Sequence, residues 1–215
     1  MCSSDLDGAT PGRLNPRALH KELVGVPTRG MARMATLGPL MAPAKVVEGA
    51  RQCRVAPLSA VLAWGRKPSS RIAEQFARKR GVPLWRCEDG FLRSLGLGAE
   101  DPPLSLVVDD VGIYYDAHAP SRLEALIQRS LSPKEIARAR ELRQLWRQER
   151  VSKYNAARES PAPTEPFVLV IDQTFGDLSI LHGMANATSF QRMLRAALDR
   201  SEEHTSELQS HSDLV

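Results

Sequence analysis

The chain is poor in aromatic residues, cysteines and long apolar runs. Aromatic residues make up 5% of the 215 positions, which argues against the stacking platforms that hold single-stranded nucleic acid. Three cysteines, Cys2, Cys53 and Cys87, form neither a CxxC pair nor an even set, so no disulfide scaffold and no zinc site is predicted. No apolar run approaches the roughly 20 residues that cross a bilayer, and no signal-peptide pattern is present. We therefore expect a cytoplasmic protein.

Motifs for common cofactors are also missing. The sequence has no P-loop and no GxSxG, and the GLG at 96–98 does not lie between a strand and a helix, as the dinucleotide fingerprint requires. His118 and His182 are isolated, with no second ligand at metal-binding spacing. We expect both histidines to be structural, and we expect no cofactor and no bound metal.

Both ends of the chain resemble the translation of one DNA sequencing adapter, read in opposite orientations. RSEEHTSELQS at 200–210 matches the forward reading, and MCSSDL at 1–6 matches the reverse complement. We expect 1–6 and 200–215 to be adapter-like artefacts and the gene to be truncated at both ends. A natural polar tail is the alternative.

The net charge is basic, and it rises from +4 to +8 without those two segments, where 28 basic and 20 acidic residues remain. A basic surface attracts nucleic acid, anionic lipid or anionic sugars through long-range Coulomb forces. The sign of the charge alone does not choose among these partners.

Residues 57–155 have the pattern of an α/β domain with a parallel sheet. Residues 60–64 form an apolar strand, and Ser69 or Ser70 can cap the following helix. Gly81 suits a left-handed helix end, and residues 83–87 form a second strand. Strand, helix and strand together predict a parallel sheet. The inward face of the helix is predicted to hold Ile72, Ala73, Phe76 and Ala77.

Two more strands and two more helices are predicted in the same domain. The strands are 104–108 and 112–115, with Asp109 and Asp110 in the turn between them and one of Tyr114 and Tyr115 in the core. A helix opens at Ser121 and turns Leu123, Leu126 and Ile127 inward. Ser132, Pro133 and Glu135 then begin a long Arg-rich helix that runs to about residue 151 and presents a solvated face.

The remaining segments are a linker, a second unit and an uncertain start. Residues 156–166 contain three prolines and no apolar period, so we expect a linker. Residues 167–171 predict a buried strand, and 189–198 predict a helix with Phe190, Met193, Leu194 and Ala197 on one face. Together, 167–199 form the start of a second domain. Residues 7–56 are weakly patterned and read as loop with short helices.

Acidic residues lie where strands should end, which is where ligands bind in open α/β sheets. Glu88 and Asp89 follow one predicted strand, and a carboxylate there can act as an acid or base if its pKa is raised. Asp177 lies in a loop between a strand and a helix, where it could attack a sugar carbon. The alternative for each is a turn or helix cap.

Five strings, in order, carry a resemblance to a known family. They are AWGRKPS, LWRCEDGFLRSLGLG, PPLSLVVDDVGIYYD, SKYN at 152–155 and VIDQTFGDLS, and the match runs from about residue 60 to residue 198. They closely resemble the capsule polysaccharide biosynthesis family, the retaining β-Kdo glycosyltransferases of bacteria. The resemblance implies two facing Rossmann-like domains (a GT-B-like fold), with 57–155 on the acceptor side and 167–199 beginning the nucleotide-sugar-binding domain.

The resemblance also implies roles for particular residues. Asp177 matches the catalytic nucleophile, and Glu88 is the candidate general acid or base. Asp89, Arg93 and Gln173 match residues that line the cleft, where arginines would bind the Kdo carboxylate. The implied donor is CMP-Kdo and the implied acceptor is a lipid-linked Kdo. Peripheral contact with the inner membrane and with other capsule assembly proteins is also expected.

Two other functions remain open. A non-catalytic role in capsule polysaccharide export or assembly would tolerate loss of Asp177. A nucleic-acid-binding protein would need aromatic residues among the arginines of the long helix, and only Trp146 lies there. The second domain of the family should continue beyond residue 199, so we expect this chain to be an inactive fragment of an active transferase.

Overall fold

The computed structural model describes residues 22–96, 101–156, 158–161, 163–165 and 167–200. The predicted artefacts at 1–6 and 200–215 lie outside these residues except for Arg200. The chain divides into two compact units, one of residues up to Tyr114 with Pro120–Ala156, the other of Tyr115–Ala119 with Ala157–Val215.

The first unit is built on a five-stranded, mostly parallel sheet within the described residues. Its order is β2-β1-β3-β4-β5. The first four strands in that order are parallel, and β5 runs antiparallel to β4. The predicted α/β fold class is therefore confirmed. The strands are β1 (Leu23–Val26), β2 (Lys45–Glu48), β3 (Ala60–Trp64), β4 (Leu84–Asp89) and β5 (Leu106–Asp109).

Helices cover both faces of this sheet. Since successive strand residues point to opposite faces, Leu62 of β3 packs in one apolar cluster, while Val61 and Ala63 pack in another. Each cluster contains residues with no exposed surface, such as Val24 in the first and Cys53 in the second. The helices are α1 (Arg29–Ala32), α2 (Leu37–Met41), α3 (Ala50–Val55) and α4 (Ser70–Arg80).

Residues 22–56, read from the sequence as loop with short helices, contain two parallel strands and three helices. Each strand has four residues, which is too short for a periodic signal. Their pairing comes from long-range contacts, such as Val24 with Ala60.

Helix α4 follows the prediction with two exceptions. Ala73 and Ala77 are buried, and Gly81 ends the helix at φ 65°. Ile72, however, is exposed, and no serine side chain caps the helix. Ser69 is the N-cap without a side-chain bond, and Ser70 Oγ instead donates to the carbonyl of Trp64 at 2.6 Å.

The predicted strand at 112–115 is wrong. The chain turns there instead, because the carboxylate of Asp109 accepts hydrogen bonds from the backbone N–H groups of Val111 (2.9 Å), Gly112 (2.8 Å) and Arg122 (2.9 Å). Ile113, rather than either tyrosine, is fully buried.

Helices α5 (Arg122–Gln128) and α6 (Pro133–Gln148) both begin with a capping box. The box predicted at Ser132 and Glu135 is confirmed, and hydrogen bonds from Arg129 and then Ser132 hold the pKa of Glu135 at about 2. Of the predicted inward face of α5, Leu123 is half-buried, whereas Leu126 and Ile127 are exposed. Every residue of α6 is at least partly exposed, as predicted for a solvated face.

The second unit contains α7 (Leu178–His182) and α8 (Ala187–Arg200). On α8, Phe190, Leu194 and Ala197 are half-buried while Met193 is exposed, so three of the four predicted face residues are correct. Residues 167–171 form no strand and their large side chains are exposed, because no described strand pairs with them. No described helix is long and apolar enough to span a membrane.

Candidate functional site

The end of β4 carries two of the predicted site residues. Glu88 and Asp89 are the last residues of this strand rather than the start of the loop after it. The neighbouring β3 ends at Trp64, which pairs with Cys87. The carboxyl ends of these two parallel strands therefore bring WGRKPS and EDGF to one edge of the sheet.

Glu88 lies half-buried in an environment that favours its neutral form. Burial raises the pKa of Glu88, and the charge of Asp89 raises it further. A hydrogen bond from the Asp89 N–H at 3.2 Å and the charges of Lys67 and Lys153 act against this rise. A carboxyl whose pKa is raised holds a proton closer to neutral pH, which suits an acid or base.

Asp89 is fixed by Arg93. Its Oδ2 lies 2.9 Å from Arg93 Nε, and both side chains are largely buried. Among the described residues, the buried Oδ1 of Asp89 has no hydrogen-bond partner. Leaving a buried carboxylate oxygen without a hydrogen bond costs free energy. This atom is therefore suited to accept a hydrogen bond from a hydroxyl group of a ligand.

Arg93 makes its contacts with other residues of the protein. Besides Asp89, its Nη1 donates to Ser94 Oγ and to the carbonyl of Asp101, both at 2.8 Å. Its guanidinium lies 5.9 Å from the ring centre of Tyr154. These contacts make Arg93 a residue that positions Asp89 and the following loop.

The loop after β4 is closely packed against β5 and against SKYN. An added Cβ at Gly90 would lie 1.9 Å from Ser105 Oγ and 2.7 Å from Ser105 Cβ, so only glycine fits in EDGF. The N–H of Arg93 donates to the carbonyl of Lys153 at 2.9 Å, and Ser94 forms a bridge with Tyr154. Two strings far apart in sequence thus hold each other in place.

The second unit carries the other two predicted residues. Asp177 is the N-cap of α7, and its Oδ1 accepts from the Ser179 N–H at 2.8 Å. Gln173 and Asp177 are both exposed. They line one cavity of about 480 Å³ together with Phe175, Leu181 and Phe190, among others.

The structure thus brings the site residues together in two groups. Glu88, Asp89 and Arg93 meet at the end of β4, and Gln173 and Asp177 meet at the cavity beside α7. Sequence reasoning missed Lys67 and Lys153, whose charges act on Glu88. Their presence in WGRKPS and SKYN was the available signal.

A groove of about 540 Å³ along α6 is a different kind of feature. It is lined by Arg140, Arg143, Gln144, Arg147 and Gln148. All of these residues belong to one exposed helix, so the groove is a gap between long side chains and lacks the walls of a ligand site.

Comparison with known proteins identifies the family. The family model described as capsule polysaccharide biosynthesis protein matches residues 59–159. The chain is 37% identical over 201 residues to the capsule polysaccharide modification protein LipA of Neisseria meningitidis serogroup A, covering 88% of this chain and 28% of LipA. The chain belongs to the capsule polysaccharide biosynthesis family. Another relative, the lipopolysaccharide-processing protein LpsZ of Rhizobium meliloti, is 37% identical over 172 residues, or 76% of this chain and 39% of LpsZ.

Solved structures of two Kdo transferases share the fold. The beta Kdo 2,4 transferase KpsC of Thermosulfurimonas dismutans matches at a TM-score of 0.75 and 40% identity, over 86% of this chain and 59% of that one. The beta Kdo 2,7 transferase KpsC of the same organism matches at 0.56 and 23% identity, over 85% and 58%, which shows likeness of fold alone. This chain therefore spans only part of the length of its relatives, from about a quarter of LipA to about three-fifths of the 2,4 transferase.

Proposed function

We propose that this capsule family chain is part of a glycosyltransferase that moves Kdo from CMP-Kdo to a lipid-linked acceptor with retention of configuration. The observation that carries the proposal is the 40% identity to a beta Kdo transferase over 86% of the chain. The five matching strings include the carboxylates at the end of β4 and at the start of α7.

Retention follows from two displacements at the anomeric carbon. In the first, the Asp177 carboxylate attacks that carbon, and the bond to the phosphate of CMP breaks, so that CMP leaves with the electron pair. In the second, an acceptor hydroxyl attacks the same carbon and releases Asp177. Glu88 takes the hydroxyl proton, acting as the general base. The exposure of Asp177 on a cavity supports its role as nucleophile.

Charged groups beside Glu88 suit an anionic sugar. Kdo carries a carboxylate, and Lys67 and Lys153 place positive charge near the end of β4. Oδ1 of Asp89, which bonds none of the described residues, is an acceptor for a hydrogen bond from a sugar hydroxyl. We assign the recognition of the Kdo carboxylate to these lysines in place of Arg93, whose guanidinium already bonds Asp89, Ser94 and the carbonyl of Asp101.

The whole protein, and not this chain alone, is the proposed enzyme. We propose that it works in the cytoplasm, in peripheral contact with the inner membrane, because its acceptor is a lipid and the described chain is basic. The competing function is a non-catalytic role in capsule polysaccharide export or assembly. A sugar-transfer assay distinguishes the transferase function from the export or assembly function.

The test is a transfer assay on the protein encoded by the complete gene, with this 215-residue chain run beside it. The mixture holds CMP-Kdo, a synthetic lipid-linked Kdo acceptor and the protein, and the product is detected by mass spectrometry. Asp177→Asn is the informative variant because asparagine still caps a helix. Asp199→Asn, on an exposed aspartate of α8, is the matched control.

We expect transfer by the complete protein and by Asp199→Asn, and a loss of at least about a hundredfold in Asp177→Asn. We expect none from the 215-residue chain. Equal transfer by Asp177→Asn would remove Asp177 from the reaction. No transfer by the complete protein would favour export or assembly.

A further inference from the structure

Three potential metal ligands meet in the second unit, although two of them are far apart in sequence. Asp116, His118 and His182 each offer one ligand atom, and these atoms lie within 4.8 Å of one another. Sequence reasoning treated both histidines as isolated, because only the fold brings the 115–119 segment to the end of α7.

The distances are close to those of a metal centre. Asp116 Oδ1 lies 3.0 Å from His118 Nδ1 and 3.8 Å from His182 Nδ1. Zinc takes nitrogen and oxygen ligands at about 2.0 to 2.2 Å, so two ligands of a tetrahedral ion lie about 3.3 Å apart. The described geometry therefore needs only small side-chain movements to hold such an ion.

The backbone already fixes the three residues. The N–H of Ala117 donates to the carbonyl of His182 at 2.9 Å, and the N–H of His118 donates to Asp116 Oδ1 at 3.1 Å. The two imidazole rings are 6.4 Å apart and perpendicular. Sites of this kind lose little conformational entropy when they bind a ligand.

The exposure of the three side chains suits an ion that enters from solution. The Asp116 side chain is 3% exposed, whereas His182 is 25% and His118 is 60% exposed. A single histidine would suffice as a hydrogen-bond partner for the carboxylate. A second imidazole 3.8 Å from the same oxygen brings three donor atoms close enough to share one ion.

We propose that Asp116, His118 and His182 bind a divalent transition metal ion, and that this ion is Zn²⁺. Imidazole suits zinc, nickel and copper, whereas magnesium and calcium prefer oxygen ligands. The ion would tie the 115–119 segment to α7, the helix whose N-cap is Asp177. The proposal does not depend on the transferase function.

Titration of the metal-free 215-residue chain with ZnCl₂ in a calorimeter tests the site. We expect one ion per chain. His118→Ala and His182→Ala should each weaken zinc binding by at least about 10-fold. Loss of an outer-shell partner alone weakens metal binding by about 10- to 100-fold, and these residues are direct ligands. His20→Ala, outside the described residues, is the matched control and should bind as the unchanged chain does.

A second readout separates binding from misfolding. Zn²⁺ in excess should raise the unfolding temperature of the unchanged chain, because it binds the folded state, and should not raise that of His118→Ala. His118 is exposed, so its replacement leaves the fold intact, which circular dichroism checks. Binding that survives both histidine variants, or that is lost in His20→Ala, overturns the proposal, as does the absence of binding to the unchanged chain.

Discussion

Two adjacent carboxylates at the end of β4 have opposite environments. Asp89 pairs with Arg93, with 2.9 Å between its Oδ2 and Arg93 Nε. Glu88 has no described ion pair within bonding distance, and burial raises its pKa. Groups whose environments differ in this way are suited to different tasks. Asp89, held by Arg93, is suited to position a ligand, and Glu88 is suited to exchange a proton.

The raised pKa of Glu88 predicts a pH-dependent stability. Between its ordinary pKa of 4.5 and its raised pKa in the fold, the folded state binds more protons than the unfolded state. The free energy of unfolding therefore falls as the pH rises through that window, and it does not recover above it. Glutamine cannot ionise, so the Glu88→Gln variant does not lose free energy of unfolding as this group ionises. It should therefore be more stable than the unchanged chain at pH 7.

Urea unfolding of Glu88→Gln and the unchanged chain at pH 4 and pH 7 measures this effect. The advantage of the variant should be present at pH 7 and smaller at pH 4. A variant that is less stable at pH 7 would show that the charged form of Glu88 stabilises the fold.

Gly90 gives a second prediction at the scale of one residue. Its Cβ position overlaps Ser105, so Gly90→Ala should destabilise the protein by about 1 to 3 kcal/mol through overpacking. Ser105→Gly should recover part of that loss in the double variant, as measured by urea unfolding. A Gly90→Ala variant of unchanged stability would contradict the described contact.

The connection between β5 and α5 depends on one buried side chain. Asp109 is 1% exposed, and its carboxylate accepts from three backbone N–H groups, two of which lie in the turn and one of which begins α5. These hydrogen bonds connect β5 to α5 through a turn, so residues 112–115 do not form a strand.

Asp109→Ala should therefore be strongly destabilising. It leaves one buried and two partly buried N–H groups without acceptors, at about 1 to 3 kcal/mol each, so the loss should exceed about 3 kcal/mol. Asp110→Ala is the matched control, because it removes only the pair with Arg122 at 2.7 Å, and it should cost less. Thermal unfolding measures both, and equal losses would contradict the account.

Elements were predictable where local patterns and tertiary structure agree. Strand β3, helix α4 and strand β4 combine apolar runs with Gly81 at a helix end, and all three were predicted. Strands β1 and β2 were missed because four residues give no period. The strand at 112–115 was wrong because Asp109 binds the backbone in a turn.

Residues 167–171 illustrate a different limit. Their apolar run is typical of a strand buried in a parallel sheet, but a strand exists only with a hydrogen-bonded neighbour. No described residue of the second unit provides one. The pattern therefore predicts what the segment can do within a sheet and does not establish that a sheet is present.

At the scale of the molecule, the chain passes between the two units three times, and the last passage is a proline-rich segment that forms no helix or strand in its described residues. Such segments are preferred sites of proteolysis. Limited digestion with a glutamate-specific protease should first produce fragments that end at Glu159 or Glu165. Mass spectrometry identifies the ends, and earlier cleavage within α6, at Glu141, would contradict this.

The candidate site was predictable in its residue types and less so in its arrangement. The carboxylates Glu88, Asp89 and Asp177 were predicted because acidic residues at strand ends suggest chemistry, and their roles stay predictions. The lysines beside Glu88 and the cluster at Asp116 could not be found from spacing, since each is assembled from segments distant in sequence. Arg93 matched the family string, yet its contacts are with the protein.

The central claim is that Asp177 forms a covalent bond to the transferred sugar. The complete protein with Glu88→Gln is incubated with CMP-Kdo and no acceptor, then quenched and digested. Without the base, release of the sugar is slowed, while CMP still leaves as a stable phosphate. Tandem mass spectrometry should locate one Kdo on Asp177. Kdo on another side chain, or release of CMP with no sugar on the protein at any time, would contradict the account.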